Sequence, residues 1–212
     1  QNFGLILYRT VLPGDYGTGF VSLRGLHDTA HIFVNGEKKK TFRRTDEGSL
    51  RFKLTGKHSF IASGVKKGDE IAVLVDAAGR VNYGEHLYDR KGISALMFNN
   101  QTLMDFDVAC FPLDNLDKLD WSRGAAKFPK FFRGSFAAKS KDDCFVRFDG
   151  FTKCYVWVNG FNLGRFWNIG PQKALYLPGP LLRTDAPNEI VLLELESASA
   201  SSVRITDTPD LG

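Results

Sequence analysis

Two segments of the sequence combine aromatic rings with hydrogen-bonding side chains, as carbohydrate sites do. One is the loop Gly-Arg-Val-Asn-Tyr-Gly at 79–84, which places Asn82 and Tyr83 between glycines. The other is 160–172, a Gly- and Asn-rich stretch that contains Arg165, Phe166 and Trp167. Carbohydrate sites set flat apolar rings against the sugar and use a few placed polar groups for its hydroxyls. Both segments are therefore candidate sugar contacts.

Each candidate also has a purely structural interpretation. Phe166 and Trp167 would pack a hairpin onto its sheet or a neighbouring domain, which we favour over ligand contact. Arg165 would then bond loop carbonyls. Tyr83 is harder to explain in this way, because a tyrosine in a glycine-flanked loop contributes little to a core.

The sequence gives little support to other kinds of catalytic or binding site. The nearest metal-like group is His27, Asp28 and His31, but in a strand the two histidines would lie on one face about two pleats apart, too far for easy shared ligation. The sequence has no P-loop, and Gly17-Thr18-Gly19 lacks the third glycine of a dinucleotide fingerprint. None of the 24 carboxylates is singled out as an acid–base pair. We expect neither a metal nor a cofactor.

Charge and hydropathy argue against nucleic-acid and membrane partners. The net charge is +4, and the basic cluster at 38–44 is followed at once by Asp46 and Glu47, as in a solvated hairpin. Nucleic-acid surfaces interleave basic residues with stacking aromatics, which here lie in apolar strands instead. No apolar run approaches the ~20 residues of a membrane span.

The three cysteines, Cys110, Cys144 and Cys154, cannot all pair with one another. A single Cys144–Cys154 disulfide and three buried thiols are both compatible with the sequence. The chain begins at Gln1 within strand-like sequence. We therefore expect a piece of a longer protein or a processed product.

The elements that would position these residues are strands. Residues 50–54 alternate between apolar and polar, whereas 71–75 and 190–193 are continuous apolar runs, typical of strands buried on one face and on two. Gly, Asn and Asp clusters separate such runs at short intervals. We predict an all-β protein without long helices, with a short 3₁₀ turn at 178–182.

An internal repeat organises these strands. Three pairs of similar segments occur in the same order: 8–9 with 132–133, 30–36 with 154–160, and 68–71 with 187–190. The pattern predicts two tandem copies of one β module, joined within 112–127, where Pro and Asp residues interrupt the apolar pattern. In each copy a strand ends at Asn-Gly, which favours a type I′ hairpin turn. Phe33 and Trp157 occupy matching positions and are expected in the cores.

Nine segments of the chain resemble one protein family: 7–10, 79–84, 91–93, 132–136, 156–167, 170–172, 176–178, 188–190 and 193–196. They are similar to the C-terminal β domains of glycoside hydrolase family 35 β-galactosidases. The most specific stretch is 156–172, which begins with Val-Trp-Val-Asn-Gly-Phe-Asn-Leu-Gly-Arg-Phe-Trp. The resemblance runs from about residue 3 to residue 196.

This resemblance implies two tandem galactose-binding-like jelly-roll β-sandwich domains, at 1–111 and 128–212, with a linker at 112–127. It also implies a retaining enzyme that hydrolyses terminal non-reducing β-D-galactosyl residues without a cofactor. The two catalytic glutamates of such an enzyme belong to an N-terminal (β/α)₈ barrel, which this sequence lacks. No catalytic residue is therefore assigned here, and the chain itself is expected to be non-catalytic.

The resemblance gives roles to the candidate residues. Tyr83 is implied to reach toward the galactose pocket as a hydrogen-bond donor or wall, with Asn82 shaping the loop. Arg165, Phe166 and Trp167 are implied to pack or to dock on the barrel. Two alternatives stay open: a free-standing carbohydrate-binding module for galactosides, and a processed or split subunit that is active only with its barrel partner.

Overall fold

The structure is a computed structural model that describes residues 2–46, 57–122 and 127–212, and it is built almost entirely from antiparallel strands. The chain divides into two compact units, Gln1–Asn115 and Leu116–Gly212. The division falls within 112–127, the segment that the sequence marks as a linker. The predicted all-β sandwich class is confirmed. The predicted strand at 50–54 lies outside the described residues.

The strands of the first unit are β1 (Phe3–Val11), β2 (Gly17–Arg24), β3 (Thr29–Val34), β4 (Glu37–Arg43), β5 (His58–Val65), β6 (Glu70–Ala78), β7 (Ala95–Phe98), β8 (Gln101–Thr102) and β9 (Asp107–Phe111). A 3₁₀ helix spans Glu85–Tyr88. One sheet has the order β4-β3-β6-β1-β9 and the other β5-β2-β7-β8. Ile32 and Val73 of the first sheet share a core with Val21 and Leu96 of the second, and all four are fully buried. The two sheets therefore form a sandwich.

Strand β6 shows why one apolar run in the sequence is continuous rather than alternating. It lies between β3 and β1 and pairs with both. Every residue from Ile71 to Ala77 is buried, so both faces of the strand are covered. A central strand of this kind has no face exposed to solvent, so its sequence does not alternate between apolar and polar residues. The strand predicted at 71–75 is confirmed.

The strands of the second unit are β10 (Lys130–Phe136), β11 (Cys144–Phe151), β12 (Lys153–Val158), β13 (Phe161–Trp167), β14 (Ala174–Leu177), β15 (Asn188–Glu194) and β16 (Ala198–Thr206). Their two sheets have the orders β10-β15-β12-β13 and β14-β11-β16. The core between them includes Val146, Phe148, Val156 and Leu192. The predicted 3₁₀ turn is confirmed at Gly179–Leu181.

The predicted repeat is present in the sheet topology. The order β4-β3-β6-β1 in the first unit corresponds, strand for strand, to β13-β12-β15-β10 in the second. Even the irregularity of the β3–β4 hairpin, a register shift between Ile32 and Phe33, recurs in the β12–β13 hairpin between Val156 and Trp157. The described strands thus carry two copies of one four-stranded arrangement.

Each copy has the same Asn-Gly turn, held by the same hydrogen bond from a backbone N–H group to the asparagine side chain. Asn35 and Asn159 both have φ of 50°, and the glycine after each is also at positive φ, as a type I′ turn requires. Asn35 Oδ1 accepts a hydrogen bond from Glu70 N at 2.9 Å, and Asn159 Oδ1 accepts one from Glu189 N at 3.0 Å. Each asparagine therefore ties its turn to the start of the central strand.

Of the two expected core positions, Trp157 is buried as predicted, whereas Phe33 is not. Phe33 is only half-buried and lies on the face of β3 opposite to Ile32, so its assignment to the core is wrong. Trp157 is 2% exposed, but it is on the outer face of its sheet, where its ring centroid lies 6.5 Å from that of Phe131 and 6.3 Å from that of Tyr155. Both faces of β12 are apolar, and the sequence alone does not say which faces the sandwich interior.

Candidate functional site

The loop that contains Tyr83 leaves the first unit directly after β6. Gly79 N donates to Asn2 O at 2.9 Å, and Gly79 and Gly84 adopt φ of 90° and 92°, which favours glycine at both ends of the loop. Tyr83 is 89% exposed. Its phenol is therefore available to a ligand or to another domain, and it makes no contribution to the core of this unit.

The hydrogen bond across the loop comes from Arg80. Within the part of the chain that the structure describes, the side chains of Asn82 and Tyr83 make no hydrogen bond. Arg80 instead donates from Nη1 to Leu87 O at 3.1 Å, across the loop. Asn82 is an exposed side chain next to Tyr83, and its role in shaping the loop stays a prediction.

A network of charged residues fixes the base of this loop. Asp28 Oδ2 accepts hydrogen bonds from Lys91 Nζ at 2.7 Å and from Ala78 N at 2.9 Å. Arg44 Nη1 lies 3.5 Å from Asp28 Oδ1 and 2.5 Å from Asp89 Oδ2. The Lys91 side chain is only 1% exposed. Ala78 precedes the loop and Asp89 follows it, so both of its ends are tied to Asp28 and Arg44.

The electrostatics of Asp28 reflect this network. Burial alone raises the pKa of a carboxyl group, but the hydrogen bonds from Lys91 and Ala78 and the charges of Lys91 and Arg44 outweigh it. The pKa of Asp28 is therefore held below its usual range. The carboxylate stays ionised and paired, which suits a structural anchor rather than an acid or base.

The histidines near Asp28 do not converge on a metal. The strand begins at Thr29, after His27, so the expected placement of His27 and His31 on one strand is wrong. His27 Nδ1 lies 2.9 Å from Arg90 O, whereas His31 is buried with Nδ1 3.0 Å from Thr41 Oγ1. Among the described residues, no group of three or more potential ligands could hold a metal ion.

Gly92 explains part of the motif Lys-Gly-Ile at 91–93. It forms a two-way backbone pair with His27, and its φ of 106° favours glycine. A Cβ atom at this position would collide with the Tyr8 hydroxyl. Burial raises the pKa of that hydroxyl, which therefore stays neutral. The motif thus supplies Lys91, the buried cation at the base of the loop, and a glycine that the packing of Tyr8 requires.

Arg165, Phe166 and Trp167 lie on β13 of the second unit, and the strand divides them between two faces. Phe166 is 3% exposed and packs in the core of its own unit, with its ring centroid 4.7 Å from that of Phe148. Trp167 is half-buried, with Lys153 Nζ 4.4 Å from its ring centroid. Phe166 is therefore a packing residue of this unit. A docking role for Arg165 and Trp167 stays a prediction.

The three cysteines are free thiols. Cys110 is exposed on β9, Cys144 is half-buried and Cys154 is fully buried. Burial, together with the nearby Glu194 carboxylate, raises the pKa of Cys154 far above its ordinary value. The buried thiol is therefore protonated and unreactive.

The region that the structure describes includes no helix long and apolar enough to cross a membrane.

Comparison with protein families finds two adjacent matches. The family described as "Beta-galactosidase, first all-beta domain" matches residues 1–114, and "Beta-galactosidase, galactose-binding domain" matches residues 129–188. The order and position of the two matches agree with the two compact units.

Individual relatives match over 93–100% of the chain. Human β-galactosidase is 35% identical over 100% of this chain, and β-galactosidase of Bos taurus is 37% identical over 93% of it; each match covers 33% of the relative. Human β-galactosidase-1-like protein 2 is 37% identical over 100% of this chain and 32% of its own length. The chain thus spans about a third of the length of these relatives.

Among solved structures, the lectin from Pleurotus ostreatus in complex with GalNAc aligns over 97% of this chain and 72% of its own chain. The identity is 11% and the TM-score is 0.31, too low to indicate a shared fold.

Proposed function

The chain belongs to the β-galactosidase family, and on that premise we propose that it is the non-catalytic β-domain region of a retaining enzyme that hydrolyses terminal β-D-galactosyl residues. Its partner is a (β/α)₈ barrel of the same enzyme, which supplies both catalytic carboxylates. The chain packs on that barrel and extends the Tyr83 loop to the galactose pocket.

The observation that carries this proposal is the contrast between the tip and the base of the loop. Tyr83 is 89% exposed, whereas the Lys91 side chain at the base is 1% exposed and paired with Asp28 at 2.7 Å. Residues that complete a site need a support that holds them within a fraction of an ångström of the productive geometry. A buried ion pair below an exposed phenol supplies this combination.

The chemical role of Tyr83 in the proposal is recognition. A phenol donates and accepts a hydrogen bond and offers an apolar ring face, which together suit a sugar hydroxyl and the adjacent C–H groups. Retaining hydrolysis uses two carboxyl groups ~5–5.5 Å apart as nucleophile and acid–base. Tyr83 takes no part in that proton transfer, so its removal should weaken binding of the transition state without abolishing the reaction.

The test is Tyr83→Phe in the complete enzyme that contains this chain. Loss of one hydrogen bond to the sugar should lower kcat/KM by about tenfold, with an unchanged melting temperature. Tyr88→Phe is the matched control, because Tyr88 is 87% exposed at the end of the same loop region. Unaltered kinetics for Tyr83→Phe, or equal losses in the two variants, would remove Tyr83 from the pocket.

Docking on the barrel is tested by mixing. A recombinant barrel of the same enzyme should gain hydrolytic activity toward a β-galactoside when this chain is added, and neither part should be active alone. Full activity of the barrel without this chain would contradict the proposed contribution of the loop.

A further inference from the structure

Strands β1–β7 of the first unit correspond one for one to β10–β16 of the second. The correspondence of β4-β3-β6-β1 to β13-β12-β15-β10 extends to the other sheet, where β5-β2-β7 corresponds to β14-β11-β16. Strands β8 and β9 have no counterpart among the described strands of the second unit. They pair with β7 and β1, the strands that correspond to β16 and β10. The two units therefore differ on the side of the sandwich where β8 and β9 lie.

In the first unit this side is closed by residues 101–111. Leu103 is 5% exposed within the core, and Phe106 packs against the same core. Leu96 and Phe98, the core residues of β7, are both fully buried. An extended segment that adds a strand to each sheet thus covers the first sandwich between β1 and β7.

In the second unit the same side is open. A cavity of about 300 Å³ lies between β10 and β16. Phe132 and Phe136 of β10 and Val203 of β16 line it and are only half-buried, although all three pack against the core. Ile205 lies on the same face of β16 as Val203 and is 39% exposed. The cavity is therefore an apolar groove at the edge of the core.

Strand β10 borders this groove as an edge strand. Among the described strands it pairs with β15 alone, whereas β1 pairs with both β6 and β9. Arg133, Gly134 and Ser135 are exposed. An edge strand directs alternate N–H and C=O groups away from its sheet, where they can pair with another chain. Backbone groups beside apolar pockets are the features used in recognition by strand addition.

A duplicated arginine indicates the charge of the strand that would fit here. Arg9 of β1 lies 4.0 Å from Glu70 and 3.8 Å from Asp107 of β9. In the repeat, Arg133 corresponds to Arg9 and Glu189 to Glu70, and Arg133 Nε donates to Glu189 Oε2 at 2.5 Å. Within the residues that the structure describes, no second carboxylate pairs with Arg133. A strand added to β10 should therefore carry a carboxylate opposite Arg133.

The same comparison indicates an apolar residue next to that carboxylate. Phe106 directly precedes Asp107 and packs against the core of the first unit. Neighbouring side chains of a strand point to opposite faces. When the carboxylate lies opposite Arg133, a large apolar neighbour would therefore enter the groove.

Two other occupants are disfavoured. The residues after β16 are held elsewhere in the unit, since Asp210 O accepts hydrogen bonds from Lys173 N and Ala174 N at 2.9 and 3.1 Å. A second copy of this chain would bring β10 against β10. That strand carries Lys130 and Arg133 and no acidic residue, so antiparallel pairing with itself brings like charges together.

We propose that this side of the second unit binds an extended segment of the same enzyme from outside these 212 residues, paired with β10 as a fifth strand. The segment carries a carboxylate opposite Arg133 and a large apolar side chain in the groove. Its source rests on the function proposed above and on the length of the relatives, of which this chain covers about a third. A segment tethered in the same molecule reaches a millimolar effective concentration, so weak strand pairing suffices.

The source of the segment is tested by hydrogen exchange with mass spectrometry, on the 212-residue chain and on the complete enzyme that contains it. Residues 130–136 should exchange about tenfold more slowly in the complete enzyme, because the outward N–H groups of β10 become hydrogen-bonded. Strand β14, an edge strand of the other sheet, is the control and should exchange equally in both. Equal exchange of 130–136, or the same slowing in both strands, would overturn the proposal.

The chemistry of the surface is tested with a synthetic peptide of residues 101–112 that carries Cys110→Ser. In the ¹⁵N-labelled 212-residue chain we expect saturable NMR shifts at 130–136, with a Kd on the order of 1 mM. Asp107→Asn in the peptide should weaken binding about threefold to the native chain and not at all to its Arg133→Gln variant. Absence of saturable shifts at 130–136 in a folded spectrum would overturn the proposal.

A variant of the groove provides a second test with the same peptide. Ile205→Lys places a charge beside the apolar side chain of the bound strand, so binding should weaken at least about tenfold. Ile169→Lys is the matched control, because Ile169 is 63% exposed in the same unit outside the groove, and it should leave the Kd unchanged. Equal Kd values for the two variants would contradict insertion into the groove.

Light scattering of the 212-residue chain separates the remaining source. We expect a monomer, whereas a dimer in which 130–136 are protected would overturn the assignment to a segment of the enzyme itself. None of these measurements involves catalysis. They can therefore fail while Tyr83→Phe still lowers kcat/KM, and unaltered Tyr83→Phe kinetics would contradict the function proposed above without changing the exchange of β10.

Discussion

Asp28 and Glu194 are both carboxylates withdrawn from solvent, and the chain stabilises them by different means. Asp28 is paired with the cation Lys91 and the guanidinium of Arg44. Glu194 instead accepts hydrogen bonds from four backbone N–H groups and one thiol, with no cation among these partners. Burying a charge is costly unless it is paired or hydrogen-bonded, so the two residues should respond differently to neutral substitutions.

Glu194→Gln tests the carboxylate held by backbone donors. Glutamine keeps one acceptor oxygen but places an NH₂ group against N–H donors, which leaves buried donors unsatisfied. We expect the free energy of unfolding to fall by about 2–4 kcal/mol, measured by urea denaturation. Glu189→Gln is the control, because Glu189 is paired with Arg133 at the surface and should lose less than about 1 kcal/mol. Equal losses in the two variants would contradict this account of Glu194.

Lys91→Met tests the pairing of the Asp28 carboxylate, and we expect its effect on the free energy of unfolding to depend on pH. In the native protein the lowered pKa of Asp28 contributes stability above about pH 3.9, which is lost as the pH falls through the folded-state pKa. Without Lys91, the hydrogen bond from Ala78 and the charge of Arg44 still oppose the effect of burial, but the pKa of Asp28 should be higher than in the native protein. The variant should therefore lose about 3 kcal/mol near pH 7, and less near pH 4, where Asp28 takes up a proton.

The control for this variant is Lys39→Met. Lys39 is paired with Glu37 at the surface, so its loss should change stability little at either pH. Denaturant unfolding at both pH values checks the prediction. A Lys91→Met penalty that does not shrink on acidification would show that Asp28 is not the group responsible.

At the scale of elements, the duplicated turn offers an internal comparison. Asn35 Nδ2 donates to the half-buried Asp69 at 2.9 Å, whereas Asn159 Nδ2 donates at 2.8 Å to Asn188, which is fully buried, and at 2.8 Å to Leu181 O. The hydrogen bond between the two side chains therefore has a partly solvated partner in the first copy and a desolvated partner in the second, where a further hydrogen bond is added. Breaking it should cost more where the partner is buried.

Asn35→Gly and Asn159→Gly measure this difference. Glycine accepts the positive φ of the turn, so the substitution removes the side-chain contacts without adding backbone strain. We expect Asn159→Gly to lower the free energy of unfolding by about 2 kcal/mol and Asn35→Gly by about 1 kcal/mol or less. Thermal or urea unfolding of the two variants gives the values. A larger loss for Asn35→Gly would contradict the burial argument.

Much of the architecture could be predicted from the sequence because the deciding signals are local. The Asn-Gly turns, the apolar runs at 71–75 and 190–193 and the order of the repeated segments all depend on neighbours in the chain. The face on which Trp157 lies could not be predicted in this way, because both faces of its strand carry apolar residues. Only the sandwich partner decides which of them becomes the core.

At the scale of the whole molecule, the candidate sites depend on contacts between distant segments. The loop sequence and the family resemblance single out Tyr83, but the ion pair at the base of the loop joins residues 63 positions apart, and no local pattern links Asp28 with Lys91.

The thiols provide a test of the folded state across both units. Cys110 is exposed in the first unit, whereas in the second Cys144 is half-buried and Cys154 is fully buried, and burial raises the pKa of both of these thiols. The thiolate is the reactive species, so a disulfide reagent such as DTNB should modify one thiol of the native 212-residue chain rapidly and all three in denaturant. Cys110→Ser should remove the rapid phase and leave two slow thiols.

Rapid modification of Cys154 in the native chain would contradict its burial against Glu194. Faster modification of Cys154 in Glu194→Gln than in the native chain is expected, because that substitution weakens the contacts that close the turns over the thiol.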